Sequence, residues 1–200
     1  MDVTSILLLL LIGALATYFS GDKLASKVAL LFSLATFGLS LYLVSILTNG
    51  GNISFSMPWI NLPKMTLAFK ADGLSMAMVV LTTALIPLII FSSFANNFKS
   101  AKSIYALILF MSFAMIGTFL AADGLLYYIF WELALIPIYF IALIWGNGDA
   151  DERKKAVVKF FIYTLAGSLF MLIAFAYLYT KTGNFLLSDL TKLDLTATEQ

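Results

Sequence analysis

Six long apolar runs divide this chain, each near the ~20 residues that cross the hydrocarbon core of a bilayer. They cover residues 3–19, 28–48, 74–95, 104–122, 124–145 and 157–180. Of the 200 residues, 62% are hydrophobic and 12% are charged, whereas a soluble domain is about half apolar and about a quarter charged. A water-soluble globule of this size leaves much of its surface exposed and cannot hide so much apolar area. The pattern predicts an all-α, polytopic membrane protein of about six transmembrane helices, with the lipid bilayer as its solvent.

The first run reads as an uncleaved helix. A secretory signal opens with a positive segment, and here the residue after Met1 is Asp2. The connections are short and polar except for 49–73, which contains Pro58, Trp59 and Pro63 and is too polar and broken to span. Asp123 alone separates the fourth and fifth runs. Asp72 and Asp123 stand where they can cap the third and fifth helices, because a carboxylate accepts the orphan N–H groups of a first turn. Lys23, Lys27, Lys99, Lys102, Arg153, Lys154 and Lys155 all follow runs one, three and five. The positive-inside rule puts those loops in the cytoplasm and the N-terminus in the periplasm, across a bacterial inner membrane.

Cysteine and histidine are absent. That removes thiolate and imidazole ligands for zinc, iron–sulfur clusters and haem, and no cofactor is expected in this chain. A net charge of +1 offers no broad field for nucleic acid. Proton chemistry falls to Asp, Glu, Lys, Tyr and water.

Glu132 is the informative residue, eight positions into the fifth run and therefore about 12 Å deep at 1.5 Å per residue. An acid at that depth costs several kcal/mol on insertion scales and marks a functional site by default. A carboxyl group held in a dry site can take up and release a proton. The plainer reading is a buried hydrogen bond to a neighbouring helix. Pro137 lacks an N–H, so the Leu133 carbonyl loses its helical partner beside Glu132. This is either an ordinary kink or a polar notch that water can fill. Pro87, in the third run, reads as a plain kink. Lys159, about two residues inside the sixth run, either snorkels to the surface or marks the mouth of a water chain. Gly167 and Ser168 permit close helix packing in lipid.

The run Tyr128-Ile-Phe-Trp-Glu-Leu-Ala-Leu-Ile-Pro-Ile-Tyr-Phe140, the block from Lys159 to Leu172 (KFFIYTLAGSLFML) and the segment Phe69-Lys-Ala-Asp-Gly-Leu-Ser75 carry a resemblance. They are similar to the antiporter-like subunits of NADH–quinone oxidoreductase, respiratory complex I, of the subunit M or chain 4 type. The resemblance implies inverted repeats with broken helices. It implies proton translocation coupled to quinone reduction in other subunits, and a proton-path role for Glu132, which that family pairs with a lysine on its seventh helix. On this resemblance, residues 1–103 are three N-terminal helices with the long loop at 49–73. Residues 104–180 are the first three helices of the antiporter-like repeat, and 181–200 are a polar tail. The implied partners are the L- and N-type membrane-arm subunits and a remaining C-terminal part of the same subunit, without which the chain is not expected to pump. The alternatives are an Mrp-type cation/proton antiporter, a membrane hydrogenase subunit, or a structural membrane module without transport of its own.

Overall fold

A computed structural model describes residues 3–61, 64–96, 98–190 and 192–193; Asp2, Pro63 and, in the polar tail, residues 191 and 194–200 lie outside them. In chain order the elements are α1 (Thr4–Phe19), α2 (Asp22–Thr48), β1 (Ser54–Ile60), β2 (Met65–Lys70), α3 (Gly73–Ser92), a 3₁₀ turn (Ser93–Ala95), α4 (Ala101–Leu120), α5 (Gly124–Trp145), α6 (Ala150–Thr182) and the single turn α7 (Leu187–Leu190). Among the described residues, five helices, α2 to α6, are long and apolar enough to cross a membrane. The first is shorter, 16 residues or about 24 Å of helix, but it packs against α2 and α4 with Ile6, Leu10 and Thr17 wholly buried.

The bundle is built around α4, which touches α1, α2, α3 and α5, while α6 lies outermost against α5. These helices are apolar on every side, so packing is selected by shape and not by polarity. On α2 the buried face is Ala25, Ala29, Ser33, Thr36, Ser40 and Leu43, a seam of mostly small residues at helical spacing that lets neighbours approach closely. Inside it, the Ser40 and Thr83 hydroxyls meet at 2.9 Å between α2 and α3. The outward faces stay apolar: Leu31, Leu88 and Phe170 are 67%, 63% and 74% exposed, as lipid-facing positions are.

Each end of the bundle has its own character. At one end the three basic connections are tied together. The Lys102 N–H donates to Asp22 Oδ1 and Trp145 Nε1 donates to the Lys99 carbonyl, both at 2.9 Å. Arg153 donates from Nε to the Leu143 carbonyl and from Nη1 to the Gly146 carbonyl, each at 2.9 Å. This end is called the basic face below.

The opposite end departs from the sequence reading. The stretch taken as an irregular loop contains an antiparallel hairpin, with Ser54 opposite Lys70 and Pro58 opposite Thr66 and an irregularity between Pro58 and Ile60. The link between α4 and α5 is three residues long, 121–123, and not Asp123 alone. Its extended backbone joins the hairpin: the Ala122 N–H donates to the Ala68 carbonyl at 2.8 Å. The segment after α6 joins too, through Gly124 N–H to the Phe185 carbonyl at 2.7 Å and Leu187 N–H to the Ala122 carbonyl at 3.0 Å. These backbone groups lie where helical bonds are not available, and pairing between segments satisfies them.

Candidate functional site on the fifth helix

Helix α5 is anchored before it enters the bundle. Asp123, wholly buried, accepts at Oδ1 from the Leu125 and Leu126 N–H groups at 3.0 and 3.2 Å. This is the cap expected from sequence. Its Oδ2 accepts from the Thr66 N–H of β2 at 3.1 Å, a bond the sequence did not announce. Asp72 caps α3 as expected: its carboxylate accepts from the Ser75 N–H, and the Ser75 hydroxyl accepts from the Asp72 N–H, both at 2.8 Å. The Ser75 N–H bond holds the Asp72 carboxyl below its ordinary pKa, against the opposing effect of burial.

Below the cap, Phe130 seats α5 on its neighbours. Its ring meets Phe113 of α4 and Phe69 of β2 edge-on, with centroids 5.4 and 5.7 Å apart. Gly117 of α4 leaves the room, because a Cβ there would overlap the Phe130 ring. On the other side, Tyr127 meets Phe175 and Tyr139 meets Phe161, which sets α6 antiparallel to α5. In that register Ser168 lies at about the height of Glu132. Ser168 is buried, one of two buried residues of α6, and its hydroxyl is bonded to the Leu165 carbonyl at 2.9 Å. Gly167 departs from expectation. It is exposed with open space around its Cα, so the close-packing role assigned to the pair falls on Ser168 within this chain.

Glu132 is half-buried in the middle of α5, and its Oε1 is sealed from the surface with no hydrogen-bond partner among the described residues. Pro137 is buried one turn further on, in a helix assigned without interruption from Gly124 to Trp145. Lys159 is exposed and is the tenth residue of α6, which starts at Ala150 and not near Val157. A groove between α5 and α6 places Val157 and Phe160 beside Ile138 and Ala142. Lys159 therefore sits about 9–15 Å along the axis from Glu132, and the structure does not bring the two together. Pro87 is buried in α3 and lines an apolar groove with Leu30, Leu34 and Phe37 of α2.

The early start of α6 had a readable signal. Asp149 caps it through the Asp151 and Glu152 N–H groups, and both acids sit in the first turn, where the helix dipole favours them. Arg153, one of the cations of the α5–α6 connection, closes the end of α5 by its bonds to the Leu143 and Gly146 carbonyls.

What the arrangement offers chemically is a buried carboxyl oxygen without a partner among the described residues, one residue from a carbonyl that proline leaves without its helical donor. Such an atom needs a partner from elsewhere.

The family NADH:quinone oxidoreductase/Mrp antiporter, TM, matches residues 121–200. The F(420)H(2) dehydrogenase subunit M of Methanosarcina mazei is 39% identical over 186 residues, 90% of this chain and 37% of that protein. The NADH-quinone oxidoreductase subunit M of Rickettsia prowazekii is 35% identical over 175 residues, 86% of this chain and 35% of that protein. Among solved structures, respiratory complex I from Thermus thermophilus contains a chain that matches with a TM-score of 0.81 at 27% identity, over 96% of this chain and 39% of that one. The chain spans a little over a third of the length of these relatives. Over the part it spans, the chain is homologous to antiporter-like subunits of the subunit M or chain 4 type and shares their fold.

Proposed function

We propose that this chain is the part of a proton-translocating subunit that carries the glutamate of the proton path, with translocation driven by quinone reduction elsewhere in the complex. The observation that carries the reading is the buried Oε1 of Glu132, which has no partner among the described residues. A carboxylate left in that state is costly, and binding a proton or meeting a cation relieves the cost. The remainder of the subunit would supply that cation. Relatives named for NADH and for F(420)H(2) are similar to this sequence at 35% and 39% identity, in keeping with an electron donor bound by other subunits. L- and N-type neighbours in the membrane arm would be its partners. The basic face would lie in the cytoplasm of a bacterial inner membrane, by the excess of lysine and arginine there.

The test is Glu132→Gln in the complete complex, reconstituted in sealed vesicles. The expected result is loss of proton translocation with the complex still assembled. Full pumping by E132Q at the wild-type rate would remove Glu132 from the path. Sodium-dependent transport in place of proton transport would favour the Mrp-type reading.

A further inference from the structure

A third groove lies at the basic face, away from the Glu132 surroundings, among α1, α4 and α5. It has a volume of about 540 Å³ and is walled by Tyr18, Ala106, Phe110, Phe140, Ile144 and Trp145. Ser103 and Trp145 stand at its mouth and Phe110 and Phe140 at its floor, so it descends about 10 Å into the apolar thickness at 1.5 Å per residue. Its walls stay open on the outer side: Tyr18 is 47% exposed and Ile144 50%.

The mouth is chemically different from the floor. Lys102 Nζ stands 5.4 Å from the centre of the Tyr18 ring, and the Lys99 carbonyl holds the Trp145 indole. The Lys102 ammonium thus stands over one groove-lining aromatic, and the Lys99 backbone is tied to a second, both rings of the kind that sit at headgroup level. Asp22 is engaged by the Lys102 N–H. Across the basic face seven cations, Lys23, Lys27, Lys99, Lys102, Arg153, Lys154 and Lys155, stand against four acids, Asp22, Asp149, Asp151 and Glu152, which leaves the face net positive.

We infer that this groove is a binding site for an anionic phospholipid, with an acyl chain laid against Phe110 and Phe140 and the phosphate between Lys99 and Lys102. A greasy slot fits any acyl chain, so selection must come from the headgroup. A juxtamembrane lysine near an anionic surface favours it by about fivefold. The site is independent of the proton-carrying role of Glu132.

The experiment uses the complete complex in nanodiscs that contain phosphatidylglycerol or phosphatidylcholine, each with a photoactivatable group on the acyl chain. The peptides spanning residues 106–110 and 140–144 are expected to label at least fivefold more with phosphatidylglycerol. In the K99Q/K102Q double variant the two lipids should label equally. Ala106→Trp, which fills the slot, should abolish labelling by both. Equal labelling in the unaltered complex would overturn the headgroup assignment, as would a preference that survives the double variant. No labelling of either peptide would show that a protein segment covers the groove and would overturn the lipid site itself.

Discussion

Asp123 and Thr66 are 57 positions apart in the chain, yet the Thr66 N–H donates to Asp123 Oδ2 at 3.1 Å. One buried carboxylate thereby fastens β2 to the first turn of α5, the helix that carries Glu132. Asp123→Ala strips the acceptor from three N–H groups and is expected to destabilise the subunit by roughly 3–5 kcal/mol, since each buried donor left unpaired costs about 1–3 kcal/mol. Asp123→Asn keeps a capping oxygen and should cost less, about 1–3 kcal/mol. Thermal unfolding of the assembled subunit measures both, and an Ala variant as stable as the parent would refute the clamp.

Glu132 gives the opposite expectation for stability. Its Oε1 has no bond to lose among the described residues, so E132Q should leave the melting temperature of the complex within the shift of about 1 kcal/mol typical of a minor change. Loss of pumping without loss of stability separates a chemical role from a packing role. A large fall in melting temperature would show that the acid is a structural partner after all.

Gly117 and Phe130 form a fitted pair. Gly117→Ala forces the Phe130 ring aside and should cost about 1–3 kcal/mol, as overpacking does. Adding Phe130→Leu gives back volume and should recover part of the loss. A double variant no more stable than Gly117→Ala alone would mean that the ring is not what the new methyl meets.

Asp72 supplies a pH dependence. Its carboxyl titrates below the ordinary value because the charged form is hydrogen-bonded in the folded state. Stability from the cap is therefore fully present above the unfolded pKa and is lost as pH falls through the lower, folded one. Asp72→Ala should weaken the start of α3 by about 1 kcal/mol at neutral pH, with the difference from the parent shrinking in strong acid. Asp72→Asn, which caps without a charge, should show neither effect. Hydrogen exchange at the Ser75 amide follows it directly.

Much of this was legible because lipid imposes one rule: a spanning helix must satisfy its own backbone. The apolar runs therefore located the helices within a few residues, except where α2 and α6 extend into polar sequence at Asp22 and Ala150. The carboxylate caps at Asp72 and Asp123 and the deep Glu132 were equally local features. The hairpin was not legible. Ser-Phe-Ser-Met-Pro-Trp-Ile has a weak alternation and a proline, and the pairing of its partner strand β2 with Ala121 and Asp123 joins residues dozens of positions apart. The missing partner of Glu132 Oε1 belongs to the same class of long-range fact.

The two anchors of α5 limit how it can move. Asp123 fixes one end to the hairpin, and Arg153 grips the carbonyls of the last turn at the other. A rod held at both tips can neither slide nor spin. What freedom it has must gather at the rung its backbone lacks, between Leu133 and Pro137. A charge change at Glu132 would then be felt as a flexing elbow one residue away and not as a piston stroke.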